Sequence, residues 1–205
     1  MGGATTAIYL DDEAAPHIRP TDDVDCITEV TSLMDYAHLE NQLRVLGFRN
    51  AAVSGDPICR WLFNGIKVDI MPTNPEILGF SNRWYHEGMS ASQLYELPSG
   101  TEIKILPATF FIATKIEAFR GRGHHDYQAS KDIEDIVTIL DGRSTWPSEF
   151  ENESNLALRK YLSMGFRDFL ANTEFLQSLI GHLPPDPAST ARAKTLLELM
   201  TEFSR

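Results

Sequence analysis

The stretch that decides the fold is ICRWLFNGIKVDIM, residues 58–71, in which two apolar runs flank the dipeptide Asn64-Gly65. Asn-Gly between such runs is the strongest short-range signal for a β-hairpin, because a type I′ turn needs positive φ at both central residues. The pattern therefore predicts two antiparallel strands, 58–63 and 66–71. Outside the hairpin, alternation predicts a strand over 24–30 and another over 102–106.

From Pro107 onward the patterns are helical. One helix is expected to begin after Ser130 as N-cap and to end at Gly142, with apolar residues at the i, i+3, i+4, i+7 spacing. The sequence thus predicts an α+β chain, with a small mixed sheet in residues 1–106 and a helical C-terminal region in residues 107–205. The first part also contains two predicted helices, a short one over 4–10 and an amphipathic one that ends near Gly47. The predicted apolar face of that amphipathic helix is Leu33, Met34, Ala37, Leu43 and Leu46.

Composition and charge exclude several classes of protein. The chain has 205 residues, 18 of them Lys or Arg and 29 Asp or Glu, for a net charge of −11, which excludes a generic basic nucleic-acid binder. Apolar runs are too short to span a membrane, and the N-terminus lacks the features of a signal peptide, so we expect a cytoplasmic protein without a membrane partner. Cys26 and Cys59 lie in strand-like segments and are expected to be buried thiols of a reducing compartment.

The first candidate site is the acidic pair Asp23 and Asp25, which follows Arg19-Pro20-Thr21. On a strand, two residues at this spacing point to the same face. Carboxylates aimed the same way repel each other unless a cation lies between them, and hard oxygen ligands suit Mg²⁺ together with substrate phosphates. The alternative is an acidic loop on a surface already rich in acid, since Asp-x-Asp is a weak pattern.

Two further features favour a site. Gly2 and Gly3 precede a short helical segment, where glycine lets the backbone approach a phosphate. Asp69 lies between apolar neighbours inside a predicted strand, where Asp is disfavoured, so we expect it to have a partner or a role. The alternative for Asp69 is an outward-facing position in an alternating strand.

These features occur in an order that resembles a known superfamily. Gly-Gly, then Arg-x-Thr-x-Asp-x-Asp, then a strand with Asp between apolar residues, is similar to the polymerase-β-like nucleotidyltransferases. Residues 111–140 resemble its AbiEii-type branch, which includes toxins of type IV toxin–antitoxin and abortive-infection systems. That branch has Lys-x4-Arg and then Lys-Asp…Asp, and this chain has Lys115 and Arg120 followed by Lys131-Asp132 and Asp135. The resemblance covers about residues 2–142.

The resemblance implies a fold, an activity and a set of site residues. The fold would be a polymerase-β-like nucleotidyltransferase core followed by helices, and the activity Mg²⁺-dependent transfer of NMP from an NTP to tRNA or a protein. The chain would then be a toxin with a cognate antitoxin. Asp23, Asp25 and Asp69 would hold the Mg²⁺ ions, with Asp69 also activating the attacking hydroxyl.

The NTP-binding residues also follow from the resemblance. Gly2 and Gly3 would cradle the β- and γ-phosphates, and Lys115 would act in catalysis by neutralising the triphosphate. Asp132 would orient Lys115 or contact the nucleotide, with Asp135 as the neighbouring candidate. The full set of residues assigned to the nucleotide is Gly2, Gly3, Lys115, Arg120 and Asp132.

Two other functions stay open at this point. One is a small-molecule nucleotidyltransferase of the aminoglycoside-modifying kind, for which an acidic surface would attract a cationic drug. The other is a non-catalytic relative that binds a nucleotide or an antitoxin partner.

Several other residues have two interpretations each. Helical geometry places Arg122 near the face of Lys115, whereas Arg120 lies about 140° around the helix. The basic residues Arg120, Arg122 and Lys131 would either contact RNA or offset nearby acids. Trp84 and Tyr85 are either core or a substrate platform. The loop segment His124-His125-Asp126 is expected to be solvated rather than a metal site.

Overall fold

The computed structural model describes residues 2–11, 20–51, 56–122 and 126–205, so Arg19, His124 and His125 lie outside the described residues. Two compact units make up the chain: Met1–Thr5 with Arg19–Leu106, and Thr6–Ile18 with Pro107–Arg205. The predicted α+β class, with a small mixed sheet and C-terminal helices, is confirmed.

The first unit is built on a mixed four-stranded sheet in the order β1-β4-β3-β2. Its strands are β1 (Asp23–Thr28), β2 (Arg49–Asn50), β3 (Arg60–Phe63) and β4 (Ile66–Pro72). Strand β1 pairs parallel with β4, whereas β3 pairs antiparallel with both β4 and β2. The hairpin between β3 and β4 has the predicted turn, since Asn64 has φ of 49° and Gly65 of 85°. The type I′ prediction is therefore confirmed.

Three helices and a second sheet also belong to the first unit. They are α2 (Leu33–Val45), α3 (Pro75–Leu78), α4 (Tyr85–Ser90) and a two-stranded antiparallel sheet of β5 (Gln93–Glu96) and β6 (Glu102–Ile105). Leu43, Trp61 and Ile70 form a buried cluster under the main sheet. Trp84 and Tyr85 are also buried, which favours their interpretation as core.

The predicted apolar face of α2 is right at Leu43 and wrong at most of its other positions. Leu33, Met34 and Leu46 are exposed, and the helix buries Tyr36 together with Leu43. The predicted residues are spread around the helix axis, whereas positions 36, 39 and 43 follow the i, i+3, i+7 spacing that places side chains on one stripe.

The two cysteines have different environments. Cys59 is buried, as predicted, whereas the prediction that Cys26 is buried is wrong, because Cys26 is exposed on β1. Strand β1 lies at the edge of its sheet, and Cys26 points to the face opposite Asp25. Burial raises the pKa of the Cys59 thiol to about 11, with a smaller contribution from Asp69.

We expect an alkylating reagent to modify Cys26 about tenfold faster than Cys59 or more at pH 8, since only the thiolate reacts and a pKa of about 11 leaves roughly one Cys59 thiol in a thousand ionised. Desolvation raises the pKa of Cys26 as well, but its side chain is exposed to the reagent. Quantifying both modified peptides by mass spectrometry over time measures the ratio. The Cys59 rate should rise as the pH approaches its pKa. Equal rates at pH 8 would contradict the burial of Cys59.

The second unit is helical. Its helices are α1 (Thr6–Tyr9), α5 (Ala108–Gly121), α6 (Lys131–Gly142), α7 (Trp146–Glu151), α8 (Leu156–Ala171), α9 (Thr173–Ser178) and α10 (Ser189–Phe203). Ser130 caps α6 as predicted, with its hydroxyl accepting a hydrogen bond from the Ile133 backbone N–H at 3.3 Å. Among the described residues, no helix combines the length and apolar character needed to cross a bilayer.

Candidate functional site

The pairing of β1 with β4 places three aspartates on one face of the sheet. Asp25 lies opposite Asp69 in the parallel register, and Asp23 lies opposite Lys67. Paired residues of neighbouring strands point the same way, as do residues two apart on one strand. Asp23, Asp25 and Asp69 therefore project from the same side of the main sheet, and we call them the aspartate trio.

Arg60 forms an ion pair with two members of the trio. It lies opposite Asp69 in the β3–β4 hairpin. Its Nε and Nη2 donate to the two carboxylate oxygens of Asp69 at 2.8 and 2.7 Å, a bidentate arrangement. Nη2 is also 3.3 Å from Oδ2 of Asp23, whose Oδ1 accepts a hydrogen bond from the Thr21 hydroxyl at 2.8 Å.

The Arg60–Asp69 pair is largely buried. Both side chains are largely removed from water, with 14% of the Arg60 and 10% of the Asp69 side chain exposed. The hydrogen bonds to Asp69 hold the pKa of Arg60 above its usual value. Asp69 is thus a buried acid with a charged partner, and not the outward-facing strand residue of the alternative interpretation.

The N-terminal backbone lies directly against the trio. Gly2 has φ of +82°, and a Cβ built on it would lie 1.7 Å from Oδ2 of Asp25. Only glycine fits here, because a side chain would need both a left-handed backbone and space that the carboxylate already occupies. The structure therefore brings Gly2 together with Asp25. Gly3 begins a 3₁₀ turn, Gly3–Thr5, immediately after it.

Replacing Gly2 with alanine should lower the melting temperature by several degrees more than replacing Gly100. The two glycines share the left-handed backbone, with φ of +82° and +79°, but nothing lies within 4 Å of a Cβ at Gly100. Gly100→Ala should cost ~1 kcal/mol of strain, or about 2–4 °C. The difference between the variants measures the collision with Asp25. Equal shifts by differential scanning fluorimetry would show that Gly2 does not rest against that carboxylate.

The donor chemistry of the trio suits a hard divalent cation. Carboxylate oxygens on one face are the ligands that Mg²⁺ takes from proteins. In the present arrangement, however, both oxygens of Asp69 accept hydrogen bonds from Arg60. Across residues 2–11, 20–51, 56–122 and 126–205, no group of three or more His, Cys, Asp or Glu is arranged so that it could hold a metal ion. The guanidinium of Arg60 supplies positive charge at the position where the sequence alone indicated a metal.

The second unit contains a separate charged cluster around Lys115. This lysine lies on α5, and its Nζ is 2.6 Å from Oδ2 of Asp135 and 3.5 Å from Oδ1 of Asp132, both on α6. Asp132 and Asp135 are three residues apart on one helix face, and their side chains are almost fully buried. The Thr6 hydroxyl is 3.5 Å from Oδ1 of Asp135. Two buried carboxylates of one helix thus hold the Lys115 ammonium in position.

The two arginines that follow Lys115 lie in different places. Arg122 joins the cluster through its Nε, 3.2 Å from Oδ2 of Asp132. Arg120 instead pairs with Asp168 on α8 and lies over the Tyr161 ring at 5.0 Å. Helical spacing had indicated Arg122, and the family motif Arg120, as the partner of Lys115, and the structure brings Arg122 to the cluster.

Sequence reasoning missed Arg60, although the sequence contained the signal for it. A two-residue loop at Asn64-Gly65 fixes the register of the hairpin, so counting outward from Phe63 and Ile66 places Arg60 opposite Asp69. A cross-strand Arg–Asp pair is the partner that an acid inside a strand requires. The missed residue is the one that contacts two members of the trio.

Comparison with known proteins identifies no family for this chain. No protein-family model matches the chain, and no curated protein is significantly similar to it.

Proposed function

We propose that the chain is a nucleotidyltransferase with a polymerase-β-like core, which transfers NMP from an NTP to an acceptor and releases pyrophosphate. The single observation that carries the proposal is the aspartate trio, in which residues of two paired strands project from one sheet face beside a glycine backbone. Nucleotidyl transfer needs acidic side chains on one face, because they bind the divalent ions that neutralise the triphosphate.

Roles for the chain's own residues follow from that assignment. Asp23, Asp25 and Asp69 would hold Mg²⁺, which when bound supplies charge neutralisation at the phosphates. Asp69 would accept the proton of the attacking hydroxyl once it is free of Arg60. The backbone at Gly2 and Gly3 would bind phosphate oxygens, since glycine permits close approach of the backbone.

For the second unit, the proposal assigns Lys115 to the triphosphate, as the AbiEii resemblance implies. Its salt bridges to Asp132 and Asp135 support a lysine of fixed position. Arg120 is the weaker assignment for nucleotide contact, since it pairs with Asp168. A tRNA or protein acceptor, a cognate antitoxin and a cytoplasmic location belong to the same proposal.

One observation favours a second candidate, a non-catalytic relative that binds a nucleotide or a protein partner. The bidentate Arg60–Asp69 pair satisfies the acid that would complete the metal site. A permanent pair would leave the fold intact and the metal site unformed. A third candidate, the small-molecule nucleotidyltransferase, is supported by the net charge of −11, which would attract a cationic acceptor.

Incubation of the purified chain with each α-labelled NTP, Mg²⁺ and a total tRNA pool tests these candidates. Label in RNA or in protein supports the proposed enzyme and identifies the acceptor. Label that moves only to an added aminoglycoside supports the small-molecule enzyme. No transfer to any acceptor, with NTP binding intact, would place the non-catalytic relative first.

A further inference from the structure

The guanidinium of Arg60 contacts three carboxylates at once. Besides the bidentate pair with Asp69 and the 3.3 Å contact with Asp23, its Nη1 is 3.4 Å from Oδ1 of Asp56. One positive charge thus faces three carboxylates, and the Arg60 side chain that carries it is 14% exposed. The group compensates only part of the charge that surrounds it.

Partial compensation has a consequence for cation binding. Asp69 offers no oxygen that is not already hydrogen-bonded to Arg60. Each oxygen keeps a second lone pair that an ion could use, but two cations close together in a partly buried site repel each other. The carboxylates would attract both, so the ion and the guanidinium compete for the same acids.

We propose that Arg60 is a resident counter-cation that competes with a divalent ion for the aspartate trio. This inference rests on the proposed function, because it concerns metal binding at the same site. Arg60 then sets the metal affinity of the free protein: it stabilises the acids when no ion is bound and lowers the affinity for the ion by competing with it. Removal of Arg60 should weaken the apo fold and strengthen divalent-ion binding.

A purely structural salt bridge predicts the opposite result for the ion. If Arg60 only orders the sheet, its removal would disorder the carboxylates, and metal affinity would fall or stay unchanged. The sign of the change in metal affinity therefore separates competition from a structural role, and it does not depend on any enzymatic activity.

The experiment measures Mn²⁺ binding to the full chain by electron paramagnetic resonance, without nucleotide, in wild type and Arg60→Gln. We expect Arg60→Gln to bind Mn²⁺ about tenfold more tightly or better, because charged hydrogen bonds no longer compete for Asp69. The control Arg49→Gln removes an exposed arginine from the neighbouring strand β2 and should leave the affinity unchanged. Adding Asp69→Asn to Arg60→Gln should abolish the gain.

Arg60→Lys covers the case in which Arg60→Gln fails to fold. Lysine keeps the charge but not the two-pronged geometry, so a smaller gain in Mn²⁺ affinity is expected. Unchanged or lower affinity in every folded Arg60 variant would overturn the proposal. If wild type transfers nucleotide but no Arg60 variant gains Mn²⁺ affinity, the proposed competition is rejected and the proposed enzyme stands. A gain in Mn²⁺ affinity without any transfer activity would reject the proposed enzyme and leave the competition standing.

Discussion

Lys115→Met is expected to lower the free energy of unfolding by about 3–5 kcal/mol, because it removes the ammonium beside the buried carboxylate of Asp135 and leaves Arg122 to pair with Asp132. The Nζ of Lys115 is 2.6 Å from Asp135 and 3.5 Å from Asp132, whose side chains are only 6% and 3% exposed. Urea unfolding followed by circular dichroism measures the change.

Two further variants show whether charge causes that loss. Lys131→Met removes an exposed lysine at the start of α6 and should change stability by less than about 0.5 kcal/mol. Lys115→Met combined with Asp135→Asn should recover most of the loss, since Arg122 still pairs with Asp132. A double variant no more stable than Lys115→Met would mean that the aliphatic packing of the lysine, and not its charge, is what matters.

Asp23→Asn is expected to reduce nucleotidyl transfer by about 10³-fold, the magnitude typical of removing a group that acts at the reacting centre. It should also abolish a rise of several degrees in melting temperature that Mg²⁺ plus NTP produces in wild type, a stabilisation of about 1–3 kcal/mol at tens of Kd. Transfer is measured with the α-labelled NTP that wild type prefers, and the melting temperature by differential scanning fluorimetry.

The matched control for Asp23→Asn is Asp22→Asn. Asp22 is the adjacent exposed residue, which precedes β1 and carries the same charge. Its replacement should preserve both the transfer rate and the thermal shift. Equal losses in the two variants would mean that the overall negative field, rather than a carboxylate of the trio, drives nucleotide binding.

The sequence predicted the local elements of the site better than their assembly. Asn64-Gly65 was sufficient to predict the hairpin and its turn, because two-residue loops allow few backbone conformations. The same turn fixed Arg60 opposite Asp69, which could have been read from the sequence. The spacing of Asp23 and Asp25 likewise placed both on one face.

The parallel pairing of β1 with β4 could not be read from the sequence in the same way. The two strands are separated by a helix and the hairpin, so no turn geometry fixes their register. That Asp25 lies opposite Asp69 is therefore a result of tertiary structure. The close approach of Gly2 to Asp25 is likewise a result of tertiary structure. A glycine pair in the sequence shows that the backbone can make a close contact there, but not which residue it contacts.

The residues around Lys115 were predicted from the sequence, whereas the partner of Arg120 was not. The family resemblance indicated Asp132 and Asp135, and spacing on α5 indicated Arg122, and all three contact each other or Lys115 in the structure. The partner of Arg120 on α8 was not predictable, because helix packing and not local spacing brings Asp168 to it.

Parallel incubations with α-labelled and γ-labelled NTP, Mg²⁺ and the acceptor pool test the central claim most directly. Nucleotidyl transfer moves the α-phosphate to the acceptor and releases the γ-phosphate in pyrophosphate. The account predicts acceptor labelled from the α position only, and none with Asp23→Asn. Acceptor labelled from the γ position, or label from neither position at any NTP concentration, would contradict it.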